Sequence, residues 1–168
     1  FKLYTFVSMA AFGLNNAIIS IVAYNLGTKK YGRINKAIKL SGIYSAIIGV
    51  IGLVLLQVFP KQIMQAFNAS GTMTAIGVPA LRIISLSFIF ACVSIMACYA
   101  LQGLSIGVPS MIISAARQVI ILLPMAYFLG KAMGVTGVWW AFPITELVVM
   151  IAACILLKQS LSKLTLSK

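Results

Sequence analysis

Glu146 is the only acidic residue in the 168-residue chain, and it lies within a long apolar run instead of a polar loop. The chain has 13 Lys and Arg residues, no His and a formal net charge of +12. One carboxylate without a histidine cannot supply a catalytic acid and base pair, and no nucleophile set, phosphate loop or cofactor motif accompanies it. An enzyme is therefore not expected. Glu146 is interpreted either as a proton or ion site or as a structural charge.

The three cysteines also lack the pattern of a chemical site. Cys92, Cys98 and Cys154 are odd in number, lie inside apolar runs and match no metal-binding spacing such as a paired C-x-x-C. They are expected to be small packing residues, and no metal site is predicted.

The elements that position these residues are predicted from composition. Hydrophobic residues make up 62% of the chain and charged residues 8%, with a mean hydropathy of +1.10, against about half and about a quarter in a soluble domain. Several apolar runs approach the ~20 residues that a helix needs to cross a bilayer, and they lack the alternation of transmembrane β-strands. The fold class is therefore an all-α polytopic membrane protein, with the lipid bilayer as a partner.

Five spans are predicted within a single membrane domain covering residues 1–168, at about 3–26, 40–59, 83–102, 111–129 and 137–157. A short amphipathic piece is expected at the outer interface between the second and third spans, over residues 59–68.

The basic residues predict the orientation of these spans. Loop 27–39 holds five Lys and Arg residues and no acid, which is typical of the cytoplasmic side and not of a nucleic-acid-binding face. Alternation of the spans then places the C-terminal tail, 158–168, in the cytoplasm as well. It leaves Phe1 outside, so an earlier helix is expected before it.

Polar side chains inside apolar helices are candidates for lining a substrate cavity. Asn15 and Asn16 lie near the middle of the first span, and Tyr99 and Gln102 lie at the inner end of the third. Such side chains either hydrogen-bond a neighbouring helix or face water, and the sequence leaves both alternatives open.

The depth of Glu146 favours a role inside the membrane. It lies about 13 Å from the outer end of the fifth span at ~1.5 Å per residue, and an intramembrane acid is a functional candidate that needs a partner. Arg117 is the basic residue nearest to that depth. It can either snorkel to the inner surface or pair with Glu146 if the two helices are neighbours, so the pair is a candidate for ion coupling or for structure.

Two prolines inside spans are hinge candidates. Pro124 and Pro143 remove backbone donors from the fourth and fifth helices, and kinked helices are where transporters place binding sites and bending points. In the second span, Ser41, Ser45 and Gly49 recur at four-residue spacing, which predicts a face for close helix packing.

Three stretches together resemble the multidrug and toxic compound extrusion (MATE) family of transporters. They are residues 21–30 followed by Arg33, residues 101–104 with Gly107 and Pro109, and residues 116–146. The resemblance covers nearly the whole chain and corresponds to helices eight to twelve of such a protein.

The resemblance implies five transmembrane helices that form most of the second six-helix lobe of a twelve-helix transporter in the plasma membrane. It implies alternating-access export of cationic or amphipathic drugs against Na⁺ or H⁺, with no other cofactor, and with the missing N-terminal lobe as a partner. The run 83–102 lacks the acids that some branches carry there, so the main coupling carboxylates are expected in the missing lobe. Glu146 matches a position where the family often has an acid.

Two alternatives remain at this point. A lipid-linked oligosaccharide flippase of the same superfamily would need a more basic cavity than Arg117 alone provides. A non-transporting membrane scaffold would gain little from intramembrane Asn15, Asn16 and Glu146. Under the exporter hypothesis, Glu146→Gln is expected to weaken efflux without abolishing it.

Overall fold

The computed structural model describes residues 2–66 and 70–166, and the side chains at 2–12, 14, 15, 165 and 166 lie outside that description. Within those ranges the chain is helical and has no strand, which confirms the all-α prediction. The elements are α1 (Lys2–Gly27), α2 (Tyr31–Val58), α3 (Pro60–Ala66), α4 (Gly71–Ser85), α5 (Ser87–Gly103), α6 (Gly107–Ala115), a π-helical segment (Ala116–Leu122), α7 (Leu123–Met133) and α8 (Val135–Leu166).

Several of these helices are long and apolar enough to cross a membrane, so the chain is a multi-pass membrane protein. Among the described residues, three continuous helical stretches qualify, namely 31–58, 107–133 and 135–164, and the bent pair α4 and α5 makes a fourth. The first predicted span lies within α1. The apolar part of α1 whose side chains are described, Asn16–Gly27, is shorter than a span. The depth of each helix in the bilayer stays a prediction. The predicted interfacial piece contains α3, but Phe67 and Asn68 fall outside the described residues.

Helix α5 forms the centre of the bundle and contacts α1, α2, α6 and α8. Its residues Ala97, Ala100 and Leu101 have no exposed surface. Small side chains along α5 let several helices approach it, because association within lipid depends on close packing more than on the hydrophobic effect. The outer helices expose large apolar side chains, as expected of surfaces that face lipid.

The packing face predicted on α2 lies against α5. Ser45 and Gly49 are buried, and Ser41 is half-buried. A Cβ atom added to Gly49 would lie 2.8 Å from the Cα of Ile89 on α5. The two backbones therefore touch at this crossing, and the small residue is what permits it.

The third predicted span is not one straight helix, because α4 and α5 meet at Leu86 with a bend of 45°. The Ser85 hydroxyl donates to the Arg82 carbonyl at 2.8 Å, and the Ser87 hydroxyl donates to the Ile84 carbonyl at 2.6 Å. Hydroxyls that bond backward to carbonyls of the preceding turn compete with the helical ladder and favour bending. This bend lies between two serines, whereas the sequence predicted kinks only at Pro124 and Pro143.

The two candidate hinge prolines lie in different surroundings. The π-helical segment ends just before Pro124, where the wider turn precedes the residue that lacks an N–H donor. Pro143 is buried inside α8, which continues past it as an α-helix. Their roles as hinges remain predictions.

Candidate ion-pair site and polar cavity

The only acid of the chain forms an ion pair with Arg117. The Arg117 Nη1 atom lies 3.6 Å from Glu146 Oε2, and the side chains are 24% and 13% exposed, respectively. Arg117 belongs to the π-helical segment and Glu146 to α8, and the two elements are in contact. At 3.6 Å the pair is held by charge attraction and lacks the short contact of a strong charge-assisted hydrogen bond.

Ser94 on α5 is the other polar neighbour of this carboxylate. Its hydroxyl lies 3.4 Å from Glu146 Oε2 and 3.0 Å from the carbonyl oxygen of Ala91. A hydroxyl has one proton to donate, so the shorter bond to Ala91 competes with the longer one to Glu146. Arg117 is therefore the main source of stabilisation for the Glu146 charge.

A cavity of about 210 Å³ borders the ion pair. Its polar or polarisable lining comes from α5 and from the helix that carries Arg117, and its apolar lining includes Val149 of α8. The lining residues are Ser94, Ile95, Cys98, Tyr99, Gln102, Ile113, Ser114, Arg117 and Val149. The volume is below the ~300–1,000 Å³ of pockets that enclose drug-sized ligands. This cavity can hold waters or part of a larger compound, but not a whole drug.

A seam of polar groups connects the end of α5 to the middle of α6. The Gln102 Nε2 atom donates to the Ser110 hydroxyl at 3.2 Å, and the Ser110 hydroxyl donates to the Cys98 carbonyl at 2.9 Å. Ser114, one turn further along the same helix, donates to the Ser110 carbonyl at 3.0 Å and borders the cavity. From Gln102 to Ser94, level with Glu146, the cavity wall extends about 12 Å along α5 at ~1.5 Å per residue.

The structure brings together four of the eight residues singled out from the sequence. Tyr99 and Gln102 line the cavity with Arg117, and Glu146 is joined to the cavity through its ion pair with Arg117. Asn16 is exposed on α1 and does not line this cavity, while the side chain of Asn15 lies outside the described residues. Pro124 is exposed about two turns beyond Arg117, and Pro143 is buried about one turn before Glu146.

Sequence reasoning missed the serines of this site. Ser94 and Cys98 precede Gln102 at four-residue intervals, and Ser110 and Ser114 precede Arg117 at four and three. This helical spacing is a signal that could have identified two facing polar stripes. Serines are common in apolar helices as packing residues, which is why the stripes did not stand out. In the described part of the chain, no three His, Cys, Asp or Glu side chains are grouped as a metal site would require.

Ser110 is expected to hold the seam together. Because it is fully buried and bridges Gln102 to Cys98, Ser110→Ala should lower the free energy of unfolding by about 1–2 kcal/mol. The measurement is unfolding of the purified chain by SDS titration in mixed micelles. Ser162→Ala is the control, since this exposed hydroxyl bonds only within its own helix. Equal effects of the two substitutions would show that the bridge has no structural value.

Long apolar helices around a small-residue core, with a half-buried ion pair beside a cavity, are features of helical membrane transport proteins. The family model described as MatE matches residues 1–128, and the chain therefore belongs to the MatE family of multidrug transporters, as the sequence motifs predicted.

Individual relatives agree with this family. "Multidrug export protein MepA" of Staphylococcus haemolyticus (strain JCSC1435) is 24% identical over 168 residues, which is 100% of this chain and 37% of the relative. The structure of "MATE multidrug transporter DinF-BH" superposes with a TM-score of 0.83 at 31% identity, over 94% of this chain and 35% of that one. An inward-facing MATE family transporter of the MOP superfamily gives a TM-score of 0.92 at 18% identity, over 98% and 38% of the two chains, and so supports the fold alone. The chain thus spans a little over a third of the length of these relatives.

Proposed function

We propose that this chain works as part of a secondary active multidrug exporter, which moves cationic or amphipathic compounds out of the cell in exchange for Na⁺ or H⁺. The observation that carries the proposal is the Arg117–Glu146 pair, whose arginine lines a cavity in a MatE-family fold. An exchangeable charge beside a cavity is what cation-coupled transport requires.

In this proposal Glu146 exchanges partners during the transport cycle. With Arg117 beside it, the site has no net charge. A proton or Na⁺ that occupies the carboxylate removes the attraction for Arg117, and the guanidinium then turns into the cavity that it already lines. This exchange would loosen the contact between the π-helical segment and α8, and the neighbouring Pro124 and Pro143 are the proposed bending points. The main coupling carboxylates are proposed to lie in an N-terminal lobe of the same protein.

Tyr99 and Gln102 are proposed to contact one part of the transported compound. The aromatic ring of Tyr99 offers a face for a cationic group, and Gln102 offers amide hydrogen bonds. Because the cavity has only about 210 Å³, the rest of the compound needs surface from the other lobe. Alternating access of the two lobes around such a shared space is the proposed mechanism.

The proposed setting is the plasma membrane, with loop 27–39 and the C-terminal tail in the cytoplasm. The supporting observation is that the basic residues of segment 27–39 are all exposed, with Lys29 and Lys30 between α1 and α2 and with Arg33, Lys36 and Lys39 on the first turns of α2. The superfamily alternative of a flippase has less support, because Arg117, the one basic side chain among the described residues that line the cavity, is already paired with Glu146.

Efflux by the full-length protein tests the exporter proposal. Expression in a drug-sensitive cell should lower the accumulation of a fluorescent cation, and an ionophore that collapses the ion gradient should restore it. Glu146→Gln is expected to reduce the efflux rate several-fold without abolishing it, since one of several exchangeable charges is lost. Lys131→Gln, which removes an exposed charge at the end of α7, is the matched control and should leave efflux unchanged.

Absence of gradient-dependent efflux across a broad panel of dyes would overturn the exporter proposal. Complete loss of efflux in a normally folded and expressed Glu146→Gln protein would instead show that Glu146 is the main coupling site.

A further inference from the structure

Helix α2 has two distinct faces along its whole length. Its inner face is buried against the bundle and consists of Ile34, Ile38, Ser45, Gly49, Gly52 and Leu56. Its outer face carries a continuous ridge of exposed apolar side chains, from Leu40 and Ile43 through Ile47 to Val54 and Val58. From Leu40 to Val58 this ridge is about 27 Å long at ~1.5 Å per residue, close to the ~30 Å thickness of a hydrocarbon core.

Three basic residues continue this outer face beyond the end of the apolar ridge. Arg33, Lys36 and Lys39 are exposed, and at about 100° per residue they share an arc of about 120° with Leu40 and Ile43. They lie about 2–11 Å past Leu40 along the helix axis, at ~1.5 Å per residue. The polar headgroup zone of a bilayer occupies about that interval on each side of the hydrocarbon. The same helix face is therefore apolar over a length that matches the hydrocarbon core and basic over a length that matches a headgroup zone.

No acidic side chain in the described part of the chain pairs with these charges. The only acid is Glu146, which is paired with Arg117. The end of α8 lies beside the start of α2, because Leu161 and Leu164 of α8 line a shallow groove together with Tyr31 and Ile34 of α2. This part of α8 brings further positive charge close to the three basic residues. Lys158 and Lys163, on that part of α8, are exposed as well. The counter-charge for this end of the bundle must come from outside the chain.

We propose that Arg33, Lys36 and Lys39 form a binding site for the phosphate headgroup of an anionic phospholipid whose acyl chains lie along Leu40, Ile43 and Ile47. Arg33 offers a bidentate fork to phosphate oxygens, and the two lysines supply flexible point charges whose methylene stems cover the adjoining apolar surface. Long-range attraction to an anionic leaflet accounts for enrichment near the surface. The continuous apolar ridge distinguishes this site from a general basic patch, because it holds the tails of the same lipid. The inference does not depend on the exporter proposal.

The test compares spin-labelled phosphatidylglycerol with spin-labelled phosphatidylcholine around the purified chain in vesicles that contain both lipids. Electron paramagnetic resonance gives the fraction of each lipid that is motionally restricted by the protein. The unchanged protein should prefer phosphatidylglycerol. In the combined Arg33→Gln, Lys36→Gln and Lys39→Gln variant the preference for phosphatidylglycerol should fall at least threefold, because three basic residues that attract an anionic headgroup are removed.

The matched control removes three exposed charges elsewhere, by Lys61→Gln, Arg82→Gln and Lys131→Gln, and should change the preference less than 1.5-fold. The charge-conserving variant Arg33→Lys, Lys36→Arg and Lys39→Arg should keep the preference for phosphatidylglycerol. If the triply neutralised variant does not insert into vesicles, the single variant Lys36→Gln replaces it and should show a smaller loss of the same preference. If the two triply neutralised variants lost the preference equally, the effect would come from net charge alone and the proposal would be overturned. If neither variant lost the preference, the proposal would also be overturned. Displacement of the lipid by inorganic phosphate, beyond that by chloride at equal ionic strength, would assign the site to a soluble anion and also overturn it.

Discussion

The Arg117→Gln variant is expected to be less stable than the double variant Arg117→Gln with Glu146→Gln, although it retains more of the natural sequence. Removing Arg117 leaves a carboxylate that is only 13% exposed, with a distant and shared Ser94 hydroxyl as its remaining polar contact. Breaking a buried pair by deleting one partner costs about 3–5 kcal/mol in fully buried cases, whereas removing both charges is often nearly neutral. Because this pair retains some exposure, we expect a loss of about 2 kcal/mol for Arg117→Gln and about 1 kcal/mol or less for the double variant.

The opposite single variant should behave differently. Glu146→Gln leaves Arg117, which is 24% exposed and lines the cavity, so its guanidinium can remain hydrated or extend toward the surface. We expect a loss of about 1 kcal/mol, less than for Arg117→Gln. SDS-titrated unfolding of the four proteins gives the free energies of a double-mutant cycle.

Lys131→Gln is the control for loss of a positive charge without loss of an ion pair, and its effect should stay within about 0.5 kcal/mol. Additive effects, in which the double variant loses the sum of the two single losses, would mean that the charges do not interact. Such a result would also remove the basis for partner exchange at Glu146.

The candidate site shows how far sequence reasoning extends. Glu146 stood out because it is the only acid, and Arg117 stood out because it is the basic residue nearest in depth. The choice between snorkelling and pairing could not be made from the sequence, because it depends on the rotation of two neighbouring helices about their axes. That rotation is set by packing: α8 contacts α5, which is distant from it in the chain, and α6, which leads into the π-helical segment, also contacts α5.

Hydroxyl groups account for most of what the sequence did not predict. Serine lowers the hydropathy of a span only slightly, so a window average does not reveal whether its hydroxyl bonds within the helix, across helices or into a cavity. Ser85 and Ser87 bend the third span at Leu86, and Ser110 joins α6 to α5. The helical fold class, by contrast, follows directly from the length and apolarity of the runs, because the bilayer requires every backbone group to be bonded within its own segment.

The crossing of α2 and α5 leads to the second prediction. Gly49→Ala is expected to lower the free energy of unfolding by about 1–3 kcal/mol, in the range of overpacking substitutions. The added Cβ atom would lie 2.8 Å from Ile89 Cα and 3.0 Å from Phe88 O. Both are backbone atoms and cannot turn aside as a flexible side chain does, so the two helices must separate.

Gly32→Ala is the matched control in the same helix. No atom lies within 4 Å of its added Cβ, so alanine should gain helix propensity there and be neutral or stabilising by up to ~1 kcal/mol. The two substitutions make the same chemical change in one helix, and only the contact with α5 differs. The difference between the two variants in the free energy of unfolding, measured by SDS titration, therefore gives the contribution of the close approach between α2 and α5. If Gly49→Ala were as stable as Gly32→Ala, the crossing would have to be loose enough to absorb a methyl group. The position of α5, which carries Ser94 and Tyr99 into the cavity, would then have to depend on its contacts with α1 and α8 instead.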